Sequence, residues 1–191
     1  MAGFLTKCLV IAVLIAETPA ARLGIDLRGN SIQQLTKPDT RVVVVIFAAS
    51  DCPISNRYVP EMKRLSQEFS ARHVAFWWAF PNPGDTGDIV REHGRQYAIA
   101  ENTILDLDQT LARLAHATRT PESAVFLVND GQLREVYHGR VDDRYLSIGE
   151  ARPQPAHHDL EAAIESAIDG RPIANAVTRA TGCSIVPIEA R

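Results

Sequence analysis

The chain has 191 residues, with 20 Lys+Arg against 23 Asp+Glu and 46% hydrophobic residues. That describes one ordinary folded domain and excludes a disordered chain. The net charge of -3 excludes a global attraction to nucleic acid or anionic membrane. With three cysteines the chain is no disulfide scaffold, so a hydrophobic core must hold it together.

Residues 1–20 read as a secretory signal peptide and 21–186 as the folded domain. Lys7 precedes an apolar run, Cys8 to Ala16, and Thr18 and Ala20 suit the small-residue cleavage positions. The run is too short for a stable membrane span, which takes about 20 apolar residues. Cleavage removes Lys7 and Glu17 together, so the net charge stays at -3. It also removes Cys8 and leaves Cys52 and Cys183 in a periplasmic or secreted protein, where disulfides persist.

Residues 21–40 are polar and turn-rich, without a strong period. Arg41 to Phe47 (RVVVVIF) is a β-branched run, the pattern of a strand buried on both faces. After Ala48-Ala49-Ser50-Asp51-Cys52-Pro53, Tyr58, Met62, Leu65 and Phe69 recur at helical spacing. A helix is therefore expected from Pro53, whose fixed φ suits the first helical position. Pro60 should kink that helix or delay its regular part. Val74 to Phe80 reads as a second strand, in which Trp77 and Trp78 alternate between the sheet faces. Asp88 to Tyr97 reads as a helix turning Ile89, Val90 and Tyr97 inward. A short strand at Thr103 to Leu107 and a short helix at Gln109 to Ala117 follow.

Thr120-Pro121 precedes a strand at Ala124 to Val128, and Asn129-Asp130-Gly131 signals a hairpin returning through Leu133 to Tyr137. Asp142-Asp143 reads as turn chemistry with surface charge, and His157-His158 as a solvated helix start. His158 to Ile168 is amphipathic through Leu160, Ala163, Ile164, Ala167 and Ile168, with Gly170 as its stop. The tail from Arg171 has little period. This order predicts an α/β fold: a mixed central sheet, with a right-handed parallel start and a hairpin addition, and helices on both faces.

Cys52 carries the chemistry in this reading. It lies between a buried strand and a helix N-terminus, where the helix dipole and unpaired N–H groups favour the thiolate. Arg57, one turn on, adds positive charge, while Asp51 opposes it. A thiolate there can act in disulfide exchange or peroxide reduction; the bland alternative is a buried structural cysteine. Cys183 is either a free or structural thiol or a resolving partner for Cys52. Two cysteines in an exported chain make pairing the default.

Cys52-Pro53-Ile54-Ser55 after a hydrophobic strand, Thr120-Pro121 before a hairpin, Phe126 to Gly131 and Gly139-Arg140-Val141-Asp142 together resemble the thioredoxin fold. The longer string Asp51 to Glu61 (DCPISNRYVPE), the Asp159-Leu160 helix and the Gly182-Cys183-Ser184-Ile185 tail are similar to exported bacterial redoxins of the alkyl hydroperoxide reductase and thiol-specific antioxidant family. The resemblance spans about residues 25–186. It implies Cys52 as the active cysteine and a cis peptide at Thr120–Pro121 beside it, although X-Pro bonds in folded proteins are cis in only about 5–6% of cases. It implies a protein disulfide or thiol, or a peroxide, as substrate, an external thiol as reductant, and no cofactor or metal.

Two positions depart from the pattern. Ser55 stands where thioredoxins carry a second cysteine, so no local dithiol cycle can run, although a Ser hydroxyl can hydrogen-bond the thiolate. Ala49 and Val45 stand where peroxiredoxins carry Thr or Ser and Pro. The competing function is a non-catalytic thioredoxin-fold binding, chaperone or metal-handling module. His73, His93, His116, His138, His157 and His158 show no ligand spacing on one helix, and the Cys-x-x-x-Cys pair of copper-handling relatives is missing.

Overall fold

The structure, a computed structural model, describes residues 22–99 and 102–188. The expected signal peptide and Cys8 lie outside these residues. The domain begins with a small hairpin, β1 (Gly24–Ile25) and β2 (Ser31–Ile32). The Asp26 carboxylate closes it by accepting the N–H groups of Arg28 and Asn30, both at 2.8 Å. Strands of two residues show no period, which is why the sequence left 21–40 without elements.

The valine run forms β3 (Val42–Phe47), buried along its whole length. It leads into α1 (Pro53–Ser70), then β4 (Val74–Phe80), α2 (Gly87–Tyr97), β5 (Thr103–Leu105) and α3 (Thr110–Leu114). After the two-residue strand β6 (Arg119–Thr120) come β7 (Glu122–Asn129) and β8 (Gln132–Gly139). A two-residue turn joins this pair, with Asp130 and Gly131 both left-handed at φ 49° and 75°, the geometry of a tight hairpin. Strands β9 (Tyr145–Ser147) and β10 (Glu150–Ala151) pair with each other. Helix α4 (Asp159–Ile168) follows, stopped by Gly170 at φ 67°, and β11 (Cys183–Ser184) is the last strand.

The main sheet runs β2-β1-β5-β4-β3-β7-β8. Strands β3, β4 and β5 are parallel, and the β7–β8 hairpin joins antiparallel beside β3. Alternation along β3 divides the core. Val42, Val44 and Ile46 face side chains of α1, α2 and α4, including Met62, Leu65, Val90 and Leu160. Val43, Val45 and Phe47 face Leu111 and Ala112 of α3, Leu35 and Ile185 of the tail. Helices thus cover both faces, as expected. Trp78 joins the first cluster, and Trp77 packs against the second, donating its Nε1–H to the Leu35 carbonyl at 2.8 Å.

Three expectations need correction. Pro60 does not delay helix α1, which is regular from Pro53: Pro60 sits on its exposed side, while Tyr58, Met62, Leu65 and Phe69 anchor the other face. Ile89 points outward, 46% exposed, because the inner face of α2 is carried by Val90 and His93. Asp142 and Asp143 are buried rather than surface charges. Asp142 accepts the Tyr58 hydroxyl and the Arg144 N–H, and Asp143 accepts the N–H groups of Ala156 and His157 and pairs with Arg152. The aperiodic tail is fastened by backbone pairing, which leaves no sequence period: Val177 bridges to His138, and β11 pairs with β6.

Candidate functional site

Cys52 is fully buried at the N-cap of α1, with extended dihedrals of φ -85° and ψ 112°. The buried strand β3 ends just before it, and Pro53 starts the helix just after it, so two regular elements fix its place. Its sulfur lies 3.1 Å from the Thr120 carbonyl oxygen. Thr120 is itself buried, and the Thr120–Pro121 peptide is cis.

Cys183 reaches the same spot from the other end of the chain. It is opposite Thr120 in the antiparallel β6–β11 pair, and its Cα lies 6.1 Å from that of Cys52, with the two sulfurs joined in a disulfide across 131 positions. The separation is within normal disulfide range. Side chains and backbone on several elements hold the tail there. Ile185 donates its N–H to the Thr118 carbonyl at 3.0 Å, Arg119 donates to Ser184 Oγ at 2.9 Å, and Val186 donates to Asn82 Oδ1 at 2.9 Å. Gln109 Nε2 donates to the Val186 carbonyl at 2.6 Å. Gly182 passes so close to the 120–121 backbone that a β-carbon would overlap the Thr120 carbonyl.

The loop before Cys52 is tied down from α1, α2 and the loop after β4. Ser50 donates its N–H to Asp85 Oδ1 at 3.1 Å, and its hydroxyl donates to the same oxygen. Asn56 Nδ2 donates to the Ser50 carbonyl at 3.0 Å, and Asn56 Oδ1 lies 2.7 Å from His93 Nε2. Since Asn56 Oδ1 can only accept, this bond assigns the His93 proton to Nε2. Burial holds the His93 pKa below the usual imidazole value, and burial pushes the Asp85 carboxyl up against the opposing Ser50 hydrogen bonds. The loop preceding β6 is held by buried Glu122, whose Oε2 accepts the N–H groups of Thr118 at 2.7 Å and Arg119 at 2.9 Å.

The structure thus brings Cys52, Thr120, Pro121 and Cys183 together. Ser55 is buried nearby, but its hydroxyl accepts the Ala49 N–H at 3.4 Å, so its bond is to the loop and not to the sulfur. Arg57 is exposed and lines a cleft of about 390 Å³ with Tyr58, Glu61 and Arg144. Sequence reasoning missed Asp85, Asn56, His93, Glu122 and the steric need for Gly182. The Asn82-Pro83-Gly84-Asp85 stretch signals only a turn. A glycine immediately before Cys183 was the one local hint of a close approach.

No protein-family model and no curated protein matches the sequence. Solved structures do. An uncharacterized conserved protein from Geobacillus kaustophilus superposes with a TM-score of 0.73 at 21% identity, covering 91% of each chain. A hypothetical protein from Sinorhizobium meliloti 1021 gives 0.68 at 21% identity, covering 89% of this chain and 94% of that one. A thiol:disulfide interchange protein of the thioredoxin family from Chlorobium tepidum gives 0.50 at 16% identity, covering 80% of this chain and 99% of that one. The fold is thioredoxin-like. In this thioredoxin-like domain the strand-to-helix junction supplies one sulfur, and a C-terminal strand supplies the other.

Proposed function

We propose that the protein is an exported thiol–disulfide oxidoreductase, acting outside the cytoplasm, whose redox couple is Cys52 with Cys183. The observation that carries this reading is the disulfide between the helix-capping Cys52 and the tail strand opposite Thr120. In the reduced protein the Cys52 thiolate attacks a substrate disulfide, forming a mixed disulfide and releasing one substrate thiolate. The Cys183 thiolate then attacks the Cys52 sulfur. The second substrate thiolate leaves and the Cys52–Cys183 bridge forms, so the substrate is reduced by two electrons and the protein oxidised. Two equivalents of an external thiol return the protein to the dithiol. The reverse sequence oxidises a substrate dithiol.

Disulfide exchange is favoured over peroxide reduction by the surroundings of Cys52. Ala49 offers no side-chain donor, and its N–H is engaged by Ser55. The edge of β6 accepts an extended segment with a cysteine opposite Thr120, the presentation that a polypeptide disulfide needs. Pro121 and Thr120 position that segment beside the sulfur.

The test is exchange kinetics on a fluorescent peptide disulfide, starting from the reduced protein. Wild type turns over with an added thiol. Cys52→Ser is inactive, and Cys183→Ser accumulates a mixed disulfide at Cys52. Exchange by the wild type no faster than by a free thiol, or full activity of Cys52→Ser, overturns the proposal. Intact mass of the exported protein should show residues 1–20 removed.

A further inference from the structure

We propose that His116, Glu135 and His138 form a binding site for a divalent first-row transition-metal cation, of the type represented by Zn²⁺. The site lies apart from the cysteine pair and does not rest on the proposed redox function.

A strand by itself would not build this group. Residues three apart on a regular strand point to opposite faces, so Glu135 and His138 should diverge. Strand β8 carries a bulge: Val125 pairs with Tyr137 while Phe126 pairs with Glu135, leaving Val136 as the extra residue. The bulge resets the alternation. Glu135 opposite Phe126 and His138 opposite Ala124 consequently share the face that α3 covers. His116 comes to them from just beyond α3, held in the left-handed region at φ 52°. The His138 backbone is clamped on both sides by the tail. Its N–H donates to the Ala176 carbonyl at 3.0 Å, and its carbonyl accepts the Thr178 N–H at 3.1 Å.

One ligand atom from each of the three residues lies within 4.8 Å of the others. His138 Nδ1 is 2.8 Å from Glu135 Oε1, and His116 Nδ1 is 3.6 Å from Glu135 Oε2. Ligands at about 2.1 Å from a tetrahedral ion stand roughly 3.4 Å apart, so shifts of a few tenths of an ångström admit one. Glu135 Oε2 is buried and has no hydrogen-bond partner among the described residues. A buried carboxylate oxygen left so is costly unless something positive occupies its lone pairs.

The second comparable cluster, Glu61, His158 and Glu161, is a useful contrast. There Arg64 already binds both carboxylates, at 2.7 Å and 2.8 Å. Among the described residues no Lys or Arg pairs with Glu135; its side-chain partners are the two imidazoles. Two imidazole nitrogens and one carboxylate oxygen suit Zn²⁺, Cu²⁺ or Ni²⁺ rather than Mg²⁺ or Ca²⁺. The His116 side chain is 70% exposed, which leaves an open side for a solvent ligand.

The experiment titrates the oxidised full chain carrying Cys8→Ser with Zn²⁺ by calorimetry and with Co²⁺ by visible spectroscopy. No free thiol competes in that form. The expected result is one ion per chain, with ligand-field bands for Co²⁺. His116→Ala and Glu135→Gln each weaken Zn²⁺ binding by more than about tenfold, the scale on which even outer-shell changes act, and Glu61→Gln leaves it unchanged. The exposed His116 can be removed without unfolding the chain, so the test does not depend on the more enclosed His138. No binding of either ion below about 1 mM, equal affinity in wild type and the His116 and Glu135 variants, or loss on Glu61→Gln would overturn the proposal.

Discussion

The two cysteines reach one bond by opposite means. Cys52 is held by contiguous structure: a fully buried strand ends before it, and an 18-residue helix starts after it. Cys183 is held by a two-residue strand and by hydrogen bonds to Asn82, Gln109, Thr118 and Arg119, which come from distant parts of the chain. The first placement is expected to persist in either redox state, because the core packs around it. The second depends on the bridge and on the accumulation of weak contacts. The proposed exchange uses this difference: Cys52 would serve as the fixed nucleophile, and the tail would leave β6 before a substrate segment takes its place there.

This comparison can be broken most directly at the sulfurs. Cys52→Ser and Cys183→Ser each delete the bridge over 131 positions, and the loop-entropy model puts the loss at about 5 kcal/mol. Urea unfolding of oxidised wild type against both variants should show similar losses, while exchange activity separates them. Hydrogen exchange on reduction should rise in residues 176–188 and stay low across β3 and β4. Equal protection of the tail in both redox states would remove the distinction between the two cysteines.

The steric approach of the tail comes next. Gly182→Ala places a methyl group against the Thr120 carbonyl, and overpacking of this kind costs about 1–3 kcal/mol. The expected outcome is slower closure of the Cys52–Cys183 bridge, measured by quenched alkylation, with far-ultraviolet circular dichroism unchanged. Glu122→Gln acts on the other partner. It weakens the acceptor of two N–H groups that shape the loop before β6, at a cost of about 1–2 kcal/mol. Thermal unfolding and closure rate should both register it.

The smallest effect concerns the anchoring of α3, on the other side of the sheet from α1. Asp106 is buried beneath α3 and accepts the N–H groups of Leu111 and Ala112 at 3.1 Å and 2.8 Å. Burial outweighs these bonds and pushes its pKa up to about 6, from 3.8. A raised folded pKa makes the protonated form the stabilising one. Its contribution is therefore complete at low pH and is lost as pH rises from about 4 through about 6. Relative to Asp106→Asn, wild type should gain about 1 kcal/mol on going from pH 7 to pH 5, read from urea midpoints. His93, held low by burial, has the opposite sign and cancels in the difference. A flat difference would show that Asp106 titrates normally.

Local pattern and tertiary structure divided the information in this protein along physical lines. The valine run, the Pro53 start, the helical spacing of Tyr58 to Phe69, the Asp130-Gly131 turn and the Gly170 stop are signals within a few residues of what they specify. They made the α/β architecture, the position of Cys52 and the hairpin legible. Thr120-Pro121 and the Cys52 string pointed to the thioredoxin fold through resemblance, because an X-Pro pair does not by itself announce a cis bond. Three-dimensional packing decided the rest. Burial turned Asp85, Asp142 and Asp143 from turn residues into internal anchors, and the bulge at Val136 put Glu135 and His138 on one face. The approach of Cys183 to Cys52 was written nowhere in the tail's own period. It depends on partners 60 to 100 residues away, roughly the span from Asn82 and Thr118 to the tail, and only folding brings them into reach.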